Sequence, residues 1–225
     1  MRDEASSCRR EVRRLRVSTE SSHLEAHWPW LDDAERQQAR RYRNEADRAR
    51  FVIARSSLRQ ILGSLIGVAG RDLAFCRNEF GKPFLADARF SLHFNTSHSG
   101  DWVLHAIDAA APIGVDVEAV REDLARIDQF EGVLSREELA FLNGVPDSHR
   151  ARAFATVWVR KEAYVKALGE GLSRPLHDIS IVEDAAGLPR LLYDRNAGSS
   201  AACWAFTDIE LDAHHVACMA YRCDA

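Results

Sequence analysis

With 225 residues, 46% of them hydrophobic and 28% charged, the chain has an ordinary globular composition and the length to bury a real core. Its formal net charge of −4 argues against bulk affinity for nucleic acid, which needs a net basic footprint. No apolar run reaches the roughly 18–20 residues of a membrane span, and the arginine-rich start lacks the apolar segment of a secretory signal.

Residues 1–11 are polar and charged and are expected to be loosely ordered. Val12–Val17 reads as a first strand. Leu31 to Tyr42 reads as a helix with Asp32 and Asp33 as its N-terminal acids. Ala46 to Ile66 is a second helix, with Phe51, Ala54, Leu58, Ile61, Leu62 and Leu65 along one side and Gly67–Gly70 as its stop. Short strands follow at Leu73–Cys76, Pro83–Leu85, Phe90–Phe94 and Trp102–Ile107. Phe80-Gly81-Lys82-Pro83 forms a turn, and Asn95 to Gly100 reads as a loop or a very short helical turn.

Ala109–Pro112 reads as a connector, after which the pattern begins again. Ile113–Glu118 is a strand, and helical segments are expected near Leu124–Phe130 and Ser135–Leu142. A long helix runs from about His149 to Leu168, where Gly169 and Gly171 stop it. Strands at Ile179–Glu183, Leu191–Tyr193, Cys203–Ile209 and His215–Tyr221 close the chain. Each half thus offers helices and then a small antiparallel sheet. This predicts an α+β protein of two subdomains, residues 1–109 and 110–225. Asp101–Ile107 and His214–Ala220 look like equivalent strands of the two halves.

The five cysteines, Cys8, Cys76, Cys203, Cys218 and Cys223, are odd in number and lack C-x-x-C spacing, so a reduced, cytoplasmic protein is expected. His214, His215, Cys218 and Cys223 have the look of metal ligands. The alternation of residues 215–221 instead reads as a strand with buried thiols.

Two acidic patches carry the chemistry. Asp116 and Glu118 are two apart on a strand, so both carboxylates leave one face of the sheet. Trp158, Glu162 and Lys166 fall at i, i+4 and i+8 on the long helix and share a face, with Lys161 a fraction of a turn away. Three acids brought together need a cation, and Mg²⁺ takes such oxygen ligands together with phosphate oxygens. Eight arginines between Arg36 and Arg59 supply donors suited to phosphate, and Lys82, Ser97 and His98 add more from turns. Each patch alone also suits a solvated surface. Together they fit phosphoryl-group transfer.

Four motifs follow in order: Gly81-Lys-Pro83, Phe94-Asn-Thr-Ser-His-Ser99, Gly114-Val-Asp-Val-Glu118 and Trp158-x-x-Lys-Glu-Ala-x-x-Lys166. This set resembles that of Sfp-type 4′-phosphopantetheinyl transferases, in the subgroup written Trp/Lys-Glu-Ala, from about Arg40 to the C-terminus. The resemblance implies two similar α/β halves related by pseudo-two-fold symmetry, with coenzyme A in the cleft between them. It implies that a serine of an apo acyl or peptidyl carrier protein attacks the β-phosphate, taking phosphopantetheine and releasing 3′,5′-ADP. By the same resemblance Asp116, Glu118 and Glu162 hold Mg²⁺, and Glu162 also serves as, or positions, the base. Lys166 then contacts the diphosphate, Ser97 and His98 the 3′-phosphate end, and Lys82 the nucleotide. Lys161 is assigned to the leaving phosphate.

Where some relatives carry lysines for the 3′-phosphate, this chain has Glu35 and Gln38, so Arg43 and Arg50 are chosen for that charge, with Arg36 and Arg40 in reserve. A monomer is expected, because the cleft forms within one chain. Two rival readings are a Mg²⁺-dependent nuclease of the Asp…Glu-x-Lys kind and a non-catalytic coenzyme A or carrier-binding module. The first wants its Glu-x-Lys on a strand, and the second does not need all three acids.

Overall fold

The computed structural model describes residues 10–125, 132–171, 174–197 and 203–223. Most of the helical segment expected near Leu124–Phe130, and of the polar N-terminal stretch, lies outside these residues. The helices begin where the local chemistry supplies caps. Asp32 closes a reciprocal capping box with Glu35 ahead of α3 (Asp33–Arg41), and the Asn44 side chain accepts two backbone N–H groups ahead of α4 (Glu45–Ile66). Ser135 and Glu138 form a second box at α5 (Arg136–Asn143), and α6 (Asp147–Leu168) ends on Gly169 at φ +79°, where a side chain would be strained. Two short helices that periodicity did not reveal, α1 (Val17–Glu20) and α2 (Leu24–His27), precede them. Leu24 packs against the α3–α4 pair, which gives this stretch its reason to be ordered.

Among the described residues, ten strands form two three-stranded sheets and two hairpins. The first sheet has the order β1-β5-β4, from β1 (Arg10–Arg16), β4 (His93–Ser99) and β5 (Trp102–Asp108). The second has the order β6-β10-β9, from β6 (Ile113–Ala119), β9 (Trp204–Asp208) and β10 (His215–Arg222). The hairpins are β2 (Phe75–Arg77) with β3 (Pro83–Leu85), and β7 (Ile179–Glu183) with β8 (Pro189–Asp194). One pattern therefore occurs twice: a strand, a long helix, a hairpin, and two strands that fold back so that the last lies in the middle of the sheet. β5 and β10 are equivalent in this pattern, as the sequence suggested.

Alternation along the central strands builds the layers. One face of the first sheet packs on α4, through Val103 with Ile53 and Ala54, and through Phe94 and Ile107 with Leu58 and Leu62. The matching face of the second packs on α6, through Cys218 and Ala220 with Val159, Ala163 and Tyr164. Leu104 and Ala106 of β5, Ile113, Val115 and Val117 of β6, and Ala217 and Met219 of β10 meet in one buried cluster between the sheets. Each larger side chain there contributes roughly 1.5–3 kcal/mol on burial, so the halves share a core. The architecture is α+β. Among the described residues no helix is long and apolar enough to cross a membrane.

The stretch from Asn95 to Ser99 corrects its reading as a loop, because it is the greater part of β4. Polar residues sit there on a buried strand: Asn95 and Ser97 are each 7% exposed. They are satisfied by the neighbouring strand β6.

Candidate active site

The site is set by how closely α6 lies on β6. A Cβ on Gly114 would stand 2.0 Å from the Ala163 carbonyl oxygen and 2.5 Å from the Ala167 nitrogen. Only glycine lets the helix backbone rest on the strand. From that contact, Glu162 and Lys166 on α6 reach the side of β6 that carries Asp116 and Glu118. Lys166 Nζ lies 2.5 Å from Asp116 Oδ1 and 3.3 Å from Ser97 Oγ. Ser97 Oγ donates to Asp116 Oδ1 at 2.7 Å, and Ser99 Oγ donates to Glu118 Oε2 at 3.1 Å.

Burial raises the pKa of Glu118, and the Asp116 charge raises it further. Burial likewise raises Glu162, with Lys166 opposing and the Asp116 and Glu118 charges adding to the effect. Asp116 Oδ2 and Glu162 Oε1 are buried and have no hydrogen-bond partner. Among the described residues no three acid, histidine or cysteine side chains are grouped so that, as they stand, they could hold a metal ion. The donor set nevertheless fits a hard cation: two orphaned carboxylate oxygens and a third acid, with one side open.

That open side is a cavity of about 430 Å³ between the halves, lined by Ser99, Gly100, Glu118, Phe154 and Trp158. Trp158 stacks on Phe154 with ring centroids 6.4 Å apart. A second cavity, of about 230 Å³, lies at the other end of β4 between Lys82, Phe84, His93 and the end of α6. The Lys82 stem lines it, while its ammonium turns inward to the carbonyls of Ile113 at 3.1 Å and Ala167 at 3.0 Å. Burial lowers the Lys82 pKa to about 8. Asn78 Nδ2 donates to the Gly169 carbonyl at 2.7 Å beside it, so this turn is tied to the end of α6 twice.

Lys161 corrects its assignment. It is 0% exposed and points to the other side of α6, where Nζ pairs with Glu138 and donates to Val133 O at 2.7 Å and Leu176 O at 2.9 Å. Burial lowers its pKa and raises that of Glu138. It is a buried strut and no part of the acid cluster.

The arginines divide by burial. Arg59 is fully buried, where it pairs with Asp32 and Glu35, and Arg55 Nε donates to Glu35 at 2.6 Å. Glu35 is thus a structural acid joining α3 to α4. Arg50 donates to Asp47 at 2.7 Å and to the Gly100 carbonyl at 3.0 Å, which brings it to the rim of the larger cavity. Arg43 is exposed in the link between α3 and α4. His98 is exposed on β4, and its pKa is held below the usual imidazole value, chiefly by loss of water around the ring and then by the Arg50 and Lys166 charges. Sequence reasoning gave no role to Asn95, Ser99 or Gly114. The one signal for the first two was the Asn-x-Ser-x-Ser alternation.

Two halves of like topology enclosing an acid cluster at their junction define a two-part enzyme fold. The model of the 4′-phosphopantetheinyl transferase superfamily matches residues 112–220, and that of the 4′-phosphopantetheinyl transferase N-terminal region matches residues 18–110. The chain is 32% identical over 164 residues to 4′-phosphopantetheinyl transferase gsp of Aneurinibacillus migulanus, a match covering 72% of this chain and 65% of the relative. It is 32% identical over 170 residues to 4′-phosphopantetheinyl transferase HetI of a Nostoc species, covering 75% and 71%. With 4′-phosphopantetheinyl transferase Sfp of Bacillus subtilis it shares 30% identity over 152 residues, covering 68% and 66%. In each case the match spans about two thirds of the relative's own length. Among solved structures, a holo-(acyl-carrier-protein) synthase from Bacillus anthracis in complex with CoA (3′,5′-ADP) is similar over 50% of this chain and 97% of its own, at 22% identity and a TM-score of 0.43. This chain belongs to the 4′-phosphopantetheinyl transferase superfamily.

Proposed function

We propose that the protein transfers the 4′-phosphopantetheine group of coenzyme A to a serine of an apo acyl or peptidyl carrier protein. The observation that carries the reading is the acid cluster at the junction of the halves, with two buried carboxylate oxygens lacking partners and Lys166 beside them. Asp116, Glu118 and Glu162 are the proposed Mg²⁺ ligands. Bound there, the ion would neutralise charge on the diphosphate of coenzyme A.

The chain's own residues do the rest. Lys166, on the rim of the cluster, turns to the diphosphate and stabilises charge that passes to the leaving group. The carrier serine oxygen bonds to the β-phosphorus, the bond to the departing 3′,5′-ADP breaks, and the serine proton goes to Glu162. Glu162, on the helix face that also carries Lys166, is the carboxylate proposed to take that proton. Trp158 and Phe154 wall the larger cavity and exclude water from the reacting end. Arg43, Arg50 and His98 are the proposed contacts of the 3′-phosphate, without Ser97, whose buried hydroxyl is taken by Asp116, Val117 and Lys166, and the Lys82 turn is a wall of the nucleotide site. Residues 1–109 then form the nucleotide side and 110–225 the acid side of a monomer. The free thiols of Cys76, Cys203, Cys218 and Cys223 suit a reduced cytoplasm.

The test is mass spectrometry of a panel of apo carrier proteins incubated with coenzyme A and Mg²⁺. At least one should gain a single phosphopantetheine, and Asp116→Ala should abolish the gain while its circular dichroism stays unchanged. A panel left unmodified, or full turnover by Asp116→Ala at low Mg²⁺, would overturn the reading.

A further inference from the structure

Among the described residues, no backbone ladder joins the two three-stranded sheets where they meet: β4 has its sheet bonds to β5, and β6 to β10. Three side chains of β4 bridge the gap. Asn95 Oδ1 accepts from the Val115 N–H at 2.9 Å, Ser97 Oγ from Val117 at 3.4 Å, and Ser99 Oγ from Ala119 at 3.1 Å. Every bridge joins residues 20 apart, and each step advances two residues on both strands. The strands therefore run side by side in a fixed parallel register, stitched by side chains.

A hydroxyl has lone pairs to accept with and one proton to donate. In this seam the accepting side is taken by an amide of β6, so the proton is left for another partner. Both serines give it to the acid that precedes that amide: Ser97 to Asp116 at 2.7 Å and Ser99 to Glu118 at 3.1 Å. Ser97 also receives Lys166 at 3.3 Å, which fills its capacity.

We infer that Ser99, together with Ser97, is a positioning residue for the transfer reaction, one hydroxyl both holding the halves in register and aiming a carboxylate. The inference rests on the proposed function, since it gives these serines their task within that reaction. Its consequence is that the aim of Asp116 and Glu118 is coupled to the seam: a shift of one strand along the other turns both acids away. A misplacement of about 1 Å costs on the order of a hundredfold in rate, and loss of a charged hydrogen-bond partner about tenfold to a hundredfold.

Ser99 is the residue to test, because it lies at the partly exposed end of the seam, where its removal leaves little void. Ser99→Ala should slow turnover at saturating coenzyme A by about tenfold to a hundredfold. Its metal-free affinity for coenzyme A, read by calorimetry, should stay within about twofold. Hydrogen exchange at the Ala119 amide should become faster, because its acceptor is gone. Ser99→Thr keeps the hydroxyl and should restore both turnover and protection. Ser99→Cys, a weak donor of similar size, is the second variant should alanine fail to fold, and its losses should have the same sign. Wild-type turnover in Ser99→Ala or Ser99→Cys overturns the inference. So does slow turnover with unchanged Ala119 exchange, which would place the hydroxyl on the substrate. A wild-type enzyme that modifies no carrier overturns the transfer reading instead, while Ala119 exchange still reports on the seam.

Discussion

His105 shows how a single buried side chain sets a pH limit. It is 0% exposed, with Nε2 2.8 Å from Ser57 Oγ and Nδ1 2.8 Å from Thr96 Oγ1. The Ser57 proton goes to the Ile53 carbonyl at 2.5 Å, so Ser57 accepts from Nε2–H and Thr96 donates to Nδ1. Burial, with the Arg55 and His98 charges, lowers its pKa to about 3. The unfolded chain then binds a proton that the native chain refuses. The stabilisation is complete above about pH 6.5 and is lost toward pH 3, at up to about 1.4 kcal/mol per pH unit. In urea titrations, His105→Gln should flatten the fall in stability between pH 6.5 and 5, and parallel curves would refute this. Lys161 makes the second residue-scale prediction. Lys161→Met leaves Glu138 charged and unpaired in the core, which should cost about 3–5 kcal/mol. Adding Glu138→Gln should recover at least half of that loss. A Lys161→Met protein of normal stability but without activity would return Lys161 to the reaction.

At the scale of elements, the contact of α6 with β6 depends on one missing methyl group. Gly114→Ala must push the helix off the strand, since both clashing atoms are backbone. Overpacking of this kind costs roughly 1–3 kcal/mol. Turnover should fall further than stability accounts for, because Glu162 and Lys166 travel with the helix. Equal turnover per folded molecule would show that α6 tolerates the shift. The longer helices α3 to α6 were legible in the sequence to within a residue or two, because apolar positions recur along them, Asp32 and Asp33 mark one start and Gly67 and Gly169 mark two ends, whereas α1 and α2 were not. The acids Asp116, Glu118 and Glu162 were legible for a related reason, since spacing on a strand and on a helix fixes a common face. β4 was not. Asn95, Ser97 and Ser99 alternate as a strand requires, but their buried face is polar, and a polar run between turn residues is what a loop presents. The direction of Lys161 was equally hidden, for no local pattern shows that Glu138, on another helix, lies in wait on the far side of α6.

At the scale of the molecule, the halves are held by a shared apolar cluster, by the side-chain seam and by Lys82. Its ammonium, bound to Ile113 O and Ala167 O, ties the β2–β3 turn of the first half to both the first strand and the long helix of the second. Lys82→Met keeps the stem that lines the smaller cavity but leaves two carbonyls unbonded, at a cost of about 1–3 kcal/mol. Urea unfolding should show that loss, while the KM for coenzyme A rises less than for Lys82→Ala, which also removes the stem. Equal KM values for the two variants would show that the ammonium itself binds the nucleotide. The seam between β4 and β6 also bears on how such a molecule can change over generations. A junction made of backbone bonds is indifferent to sequence and cannot be adjusted by substitution. One made of Asn95, Ser97 and Ser99 is written in codons, and each stitch can be altered singly while both sheets stay whole. The cleft is thus the place where single substitutions can shift one half against the other by small steps, without unmaking either sheet.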